Sequence, residues 1–200
     1  MTSAFALPRA RVLGLALAAA LLALVAWQLT GARPANTSGA TAGVVQITMT
    51  VTQLNGTTFK GDDGATGRNA GVITVLAYSY GLKNTGTVGG ATGGAGAGKA
   101  VHSPVTITHA MGGSSPQFLA AAATGQHLKS VVINFSRTDR TGRLTTFYRV
   151  TLTNVFVSEV AQRSSGDTVL EDVSFVFLKI EQQSLTQNTT FTDDLATKAA

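Results

Sequence analysis

The chain has 200 residues, 44% of them hydrophobic and only 12% charged, with a formal net charge of +5 and no cysteine. That length fits one ordinary domain, and the charged share is about half of the roughly 25% usual for globular proteins, which suits a surface covered by neighbours or an exported protein. The missing cysteines exclude disulfides, thiolate metal sites, a cysteine nucleophile and a lipidated cysteine.

Arg9 and Arg11 precede an apolar run from Val12 to Trp27, and Thr30, Gly31 and Ala32 follow. A basic start, an apolar middle and a small-residue exit are the three parts of a secretory signal. Residues 1–32 therefore read as a leader cleaved near Ala32, or as a membrane anchor if retained. The run is slightly shorter than the ~20 residues that span a bilayer comfortably. Residues 33–43 are small and polar, with Pro34 and two glycines, and read as a linker.

From Val45 to Thr52 apolar and polar residues alternate, the mark of a half-buried strand. Val72 to Tyr80 reads as a second strand, apolar on both faces and closed by Gly81. Leu82 to Lys99 holds seven glycines, too many to offset backbone ordering by burying side chains, and is expected to be a mobile loop. Val105 to Thr108 reads as a short strand. Ser114 or Ser115 is the expected cap of a helix with Pro116 in its first turn. Phe118, Leu119, Ala122 and Ala123 would form its buried face, and Gly125 its left-handed stop.

Val131, Ile133 and Phe135 share one face of the next strand, and Thr138 to Arg143 makes the hairpin turn. The return strand sets Tyr148, Val150 and Leu152 on one face, with Phe147, Arg149 and Thr151 on the other. A loop then leads to the last strand, with Val173, Phe175 and Phe177 pointing one way and Val176, Leu178 and Ile180 the other. A strand with one wet face should alternate, so either the helix or a neighbouring subunit must cover its second side. Residues 182–200 read as a polar tail, poorly ordered alone.

No residue set assembles an active site. Gly93 to Ala100 approaches a phosphate-binding loop, but Ala100 stands where the magnesium-binding Ser or Thr belongs, and no strand-loop-helix context surrounds it. His102 and His109 differ in strand parity and cannot easily share a metal; with His127, they are expected at strand ends or on the loop surface. Ser114 and Ser115 are accounted for by capping. Asp62 and Asp63 lack calcium-loop spacing, and Glu159, Glu171 and Glu181 form no carboxylate pair. Arg137, Arg140 and Arg143 flank one turn and make no basic stripe, so no nucleic acid is expected. Catalytic, cofactor and metal sites are all expected to be absent.

The ordered set Gly71-Val72-Ile73-Thr74-Val75-Leu76-Ala77-Tyr78-Ser79-Tyr80-Gly81, His102 to Thr108, Ser114-Ser115-Pro116 with Leu119 and Gly125, Val131 to Val155 and Glu171-Asp172-Val173-Ser174-Phe175 resembles the haemolysin-coregulated protein (Hcp) family, the tube subunit of type VI secretion. The resemblance runs from about Gln53 to Glu181. It implies a mainly β fold, a compact two-sheet barrel over 44–181 with one short flanking α-helix, preceded here by the apolar leader. It also implies a non-enzymatic homo-oligomer whose hexameric rings stack into a hollow tube, with room for small protein cargo and no cofactor. Assembly contacts would involve barrel edges and the loop between the second and third strands, hence Leu82, Lys83, Lys99 and Val101, together with Asp172 and Phe175. Two departures stand out: His109 occupies the place of a family lysine, and Gly112-Gly113 replace an acidic residue before the helix. Family members usually lack a secretory leader, so this one implies assembly in the periplasm, at the cell surface or outside. The alternative is an exported or anchored monomeric β-domain that binds a ligand or surface partner.

Overall fold

The computed structural model describes residues 44–61, 70–86, 98–139 and 141–197. The leader, the linker, Asp62, Asp63, Arg140 and most of the glycine-rich run lie outside the described residues. Among those described, no helix is long and apolar enough to cross a membrane.

The described residues form ten strands and one helix in the order β1 (Val45–Gln53), β2 (Ile73–Val75), β3 (Ala77–Ser79), β4 (Leu82–Asn84), β5 (Ala100–His102), β6 (Val105–Ala110), α1 (Ser115–Thr124), β7 (His127–Thr138), β8 (Leu144–Ser165), β9 (Thr168–Ser184) and β10 (Thr189–Asp194). The main sheet runs β2-β1-β7-β8-β9-β6-β3, with β10 also on β9. Its first and last strands are separated in the chain by Leu76 alone, whose N–H donates to the Thr108 carbonyl at 2.7 Å. The expected second strand is thus two short ones, paired to opposite ends of the sheet, and their junction closes the barrel. Closure removes the two edges that a flat sheet would expose at β2 and β3, while β10 stays paired on the β9 side alone.

The core is built in rows across the strands. Met49, Ile133 and Val150 form one; Val51, Val131, Leu152 and Ile180 form the next; Leu128, Val155 and Phe177 follow; then Val105, Phe175 and Val157. Between the second and third rows the alternation slips in three strands at one level. Lys129 and Ser130, Thr153 and Asn154, and Leu178 and Lys179 all turn outward in succession, while Leu128, Val155 and Phe177 still face in. Asn154 takes the left-handed conformation there, at φ 52°, one that Asn reaches more readily than most residues. A side-chain period of two allows such a face change only through a local irregularity. Ile180 consequently joins Phe177 in the core, contrary to the strict alternation expected of the last strand. Its second face is reduced to half-buried Val176 and exposed Leu178.

The helix covers the other side. Phe118 is fully buried against Phe59, His109 and Phe175, with ring centroids 5.2, 5.5 and 6.0 Å away. The buried face is Ser115, Phe118 and Ala121, with Ala122 half-buried; Leu119 and Ala123 are exposed, which corrects the expected face by one position. The end is as expected: Gly125 sits at φ 63° and its N–H reaches the Ala121 and Ala122 carbonyls. At the start, Ser114 is the cap residue but makes no side-chain capping bond. Its carbonyl instead accepts from the Gln117 and Phe118 amides, and the Ser115 hydroxyl accepts from Gly112 N–H at 3.2 Å.

Two further expectations change. The loop predicted after Val155 is strand: β8 and β9 form one long hairpin turning at Gly166, φ 59°. The predicted tail from Gln182 is also structured, since β9 continues to Ser184 and β10 pairs back on Lys179–Ser184. Its Thr-Thr-Phe-Thr composition favours strand, but its weak apolar alternation hid it.

Candidate assembly surfaces

Glu171 and Asp172 are adjacent on β9 and point to opposite sides of the wall. Glu171 faces inward, where Oε1 lies 3.0 Å from His109 Nε2 on β6 and Oε2 accepts from Gln162 Nε2 on β8 at 2.7 Å. His109 and Glu171 are both fully buried, and His109 Nδ1 has no hydrogen-bond partner. Asp172 faces outward, accepting from the Thr108 hydroxyl on β6 and from Arg163 Nε on β8 at 3.0 Å. Arg163, then Thr108, hold its carboxyl below the usual aspartate range by hydrogen bonding. Two carboxylates in sequence thus stitch the same three strands together, one from each side of the sheet. His109 belongs to the core rather than to the surface expected for it.

Among the described residues, Leu82–Asn84 and Ala100–His102 pair only with each other, so they form a two-stranded hairpin separate from the main sheet. It continues through Thr85, whose N–H donates to the Lys99 carbonyl at 3.1 Å. Both ends of the expected mobile loop are therefore strand. Leu82 and Val101 are close to half-exposed, and Lys83 and Lys99 are exposed. Ala100 begins a strand and not a helix, which removes the context of a phosphate-binding loop. Gly98 packs so closely against Gly86 and the Asn84 side chain that no Cβ would fit.

At the foot of this hairpin, His102 Nδ1 lies 2.7 Å from the Tyr80 hydroxyl and Nε2 lies 3.1 Å from Asp193 Oδ2 on β10. His102 is nearly buried here, again unlike the expected surface histidine. Burial, and behind it the charge of Asp193, push the Tyr80 hydroxyl up. Burial likewise raises Tyr78, which stands edge-on to Phe135 at 5.1 Å. Only His127 is exposed as predicted, 3.0 Å from Asn154 Oδ1. No grouping of three metal-binding side chains occurs among the described residues.

The outer wall carries exposed apolar side chains. Phe156 stands opposite Val176 in the β8–β9 ladder, and both Phe156 and Leu178 keep more than a third of their surface. The helix packs on the Phe175 side and leaves this face uncovered. Of the residues singled out in the sequence, Leu82, Lys83, Lys99 and Val101 gather on the hairpin, Asp172 lies on the wall within its own network, and Phe175 is fully buried and cannot meet another chain directly.

The family model described as "Type VI secretion system effector, Hcp" matches residues 48–183. The chain belongs to the Hcp family. The matched span runs from within β1 to near the end of β9 and takes in the Glu171-Asp172 brace; β10 lies beyond it. The family is structural and secreted, not enzymatic. A curated relative, the "Major exported protein" of Pseudomonas aeruginosa, is 31% identical over 105 residues, a match covering 48% of this chain and 61% of that relative. Among solved structures, a mutant Hcp1 from E. coli EAEC 042 is 25% identical with a TM-score of 0.66, over 76% of this chain and 99% of that one. The secreted protein Hcp3 from Pseudomonas aeruginosa shares the fold at 22% identity, with a TM-score of 0.60 over 76% of this chain and 98% of its own.

Proposed function

We propose that this Hcp protein is an exported tube subunit, closing head to tail into hexameric rings that stack into a hollow tube wide enough for small protein cargo. The observation that supports it most is the β4–β5 hairpin, which pairs with no other strand among the described residues and presents Leu82 and Val101 to solvent. An isolated two-stranded ribbon is marginal in water and gains stability from a partner. In this reading Leu82, Lys83, Lys99 and Val101 contact the next ring. The exposed apolar side chains of Phe156 and Leu178 supply a second contact, and Asp172 orders the wall beside it. Head-to-tail contacts close into rings where the rotation allows, and open repetition along the axis builds the tube. Residues 1–32 direct export, and residues 33–43 link them to the barrel.

Electron microscopy of the purified full chain over a concentration series tests this. Rings at low concentration and tubes at high concentration are expected. Monomers at every concentration would overturn the assembly reading in favour of an exported or anchored β-domain that binds a ligand on its own.

A further inference from the structure

Along β9, strand β6 pairs up to Phe175 and β10 begins at Lys179. Between them lies a seam at Val176 and Phe177, where the ladder on that side is interrupted. Pro104, directly before β6, has no N–H with which to extend that ladder. The seam is occupied by side chains instead. The His102 ring stands edge-on to Phe177 with centroids 5.7 Å apart, and Tyr80 leans on the same ring at 6.3 Å.

We propose that Tyr80, His102 and Asp193 form a clasp that sets the direction of the β4–β5 hairpin relative to the barrel and makes strand β10 the part of the fold that holds it. The hairpin has three paired residues in each strand and no ladder to the main sheet. Its local tie is short: the Ser103 N–H donates to the Gly81 carbonyl at 2.8 Å, across the foot of the hairpin itself. That bond closes the ribbon but does not aim it. His102 does, because it lies on β5 and reaches a residue 91 positions later in the chain. With the ring proton on Nε2, the Tyr80 hydroxyl donates to Nδ1 and Nε2 donates to the Asp193 carboxylate, so each ring nitrogen is used. Both partners of the His102–Asp193 contact are more than nine-tenths buried. A hydrogen bond to a carboxylate in such surroundings is stronger than one in water. The high Tyr80 hydroxyl keeps its proton and remains a donor.

The consequence for stacking rests on the reading that the hairpin carries the contacts between rings; the clasp itself is a property of the single protomer. Hydrogen exchange read by mass spectrometry on the full chain, kept dilute, therefore tests it without assembly. Asp193→Ala is expected to speed exchange of the amides of residues 82–86 and 98–102 by about tenfold or more, while those of Val131–Ile133 and Val150–Leu152 stay slow. His102→Phe, which keeps a ring against Phe177 but removes both bonds, is expected to do the same, and Asp193→Asn, which keeps an acceptor for Nε2, to restore most of the protection. Hairpin exchange unchanged in both Asp193→Ala and His102→Phe would overturn the clasp. So would a rise shared equally by the core amides in both variants, since the network would then stabilise the whole barrel and hold no one element. Loss of tubes is scored separately by microscopy: a loosened hairpin with intact tubes leaves the clasp standing and removes the hairpin from the stacking contact.

Discussion

Glu171 and Asp172 illustrate how far one dipeptide can act in a sheet. Neighbouring residues on a strand face opposite ways, so the pair reaches β6 and β8 on both sides of the wall: His109 and Gln162 inside, Thr108 and Arg163 outside. The inner half is the costlier to break, because His109 and Glu171 are wholly buried. Glu171→Ala leaves the buried His109 without its hydrogen bond to Glu171, and a buried polar group left unsatisfied costs about 1–3 kcal/mol. A loss of unfolding free energy of that size, measured by urea denaturation, is expected; a loss within about 0.5 kcal/mol would show the inner brace to be dispensable. The outer half is partly exposed and weaker, and its signature is in pH. Asp172 titrates below the ordinary aspartate range when folded. Its contribution is therefore full above about pH 4, the unfolded value, and is lost as pH falls toward the folded one. Asp172→Asn should be less stable than the parent at pH 6 and lose less stability between pH 5 and pH 2. Parallel pH profiles for the two proteins would contradict this.

At the scale of elements, the slip in alternation across β7, β8 and β9 decides which residues are core. Leu152 and Val155, and Phe177 and Ile180, lie inside together because two outward residues separate each pair. Asn154 is the hinge of this step in β8, at φ 52°. A β-branched side chain resists that conformation, at a cost of about 1–2 kcal/mol. Asn154→Ile should therefore lower the unfolding free energy measured in urea by that amount, whereas Asn154→Gly should stay close to the parent; equal free energies would mean the strand passes the step without strain. The helix start and stop were legible in Pro116 and Gly125, as were the core faces of β1, β7 and the first half of β8. The helix face was read one position off, because Ala120 to Ala123 offer no size contrast and the neighbouring Phe59, His109 and Phe175 select which alanines are covered.

For the whole molecule, closure and projection are the two facts that bear on function. Closure pairs β2 and β3 into the sheet, and the hairpin, together with the Phe156 and Leu178 strip, is left with exposed apolar surface. Leu82→Glu together with Val101→Glu should leave the barrel's stability within about 0.5 kcal/mol, as for other surface changes, and abolish tubes in electron micrographs. Tubes of normal length from that double variant would place the stacking contact elsewhere, with the Phe156 and Leu178 strip the next surface to test.

The sequence by itself determined the fold class, the order of most strands, the helix limits and the family resemblance, because these rest on local alternation, turn residues and caps within a few positions. It also pointed to the hairpin region, through two pairs of residues, Leu82 with Lys83 and Lys99 with Val101, that border the glycines. Only the tertiary structure decided that His109 and Glu171 are a buried pair, that His102 reaches Asp193, that Ile180 lies inside and that the last residues add a strand. Each of these depends on which residues stand opposite one another across strands far apart in the chain, and such partners leave no periodic mark along it.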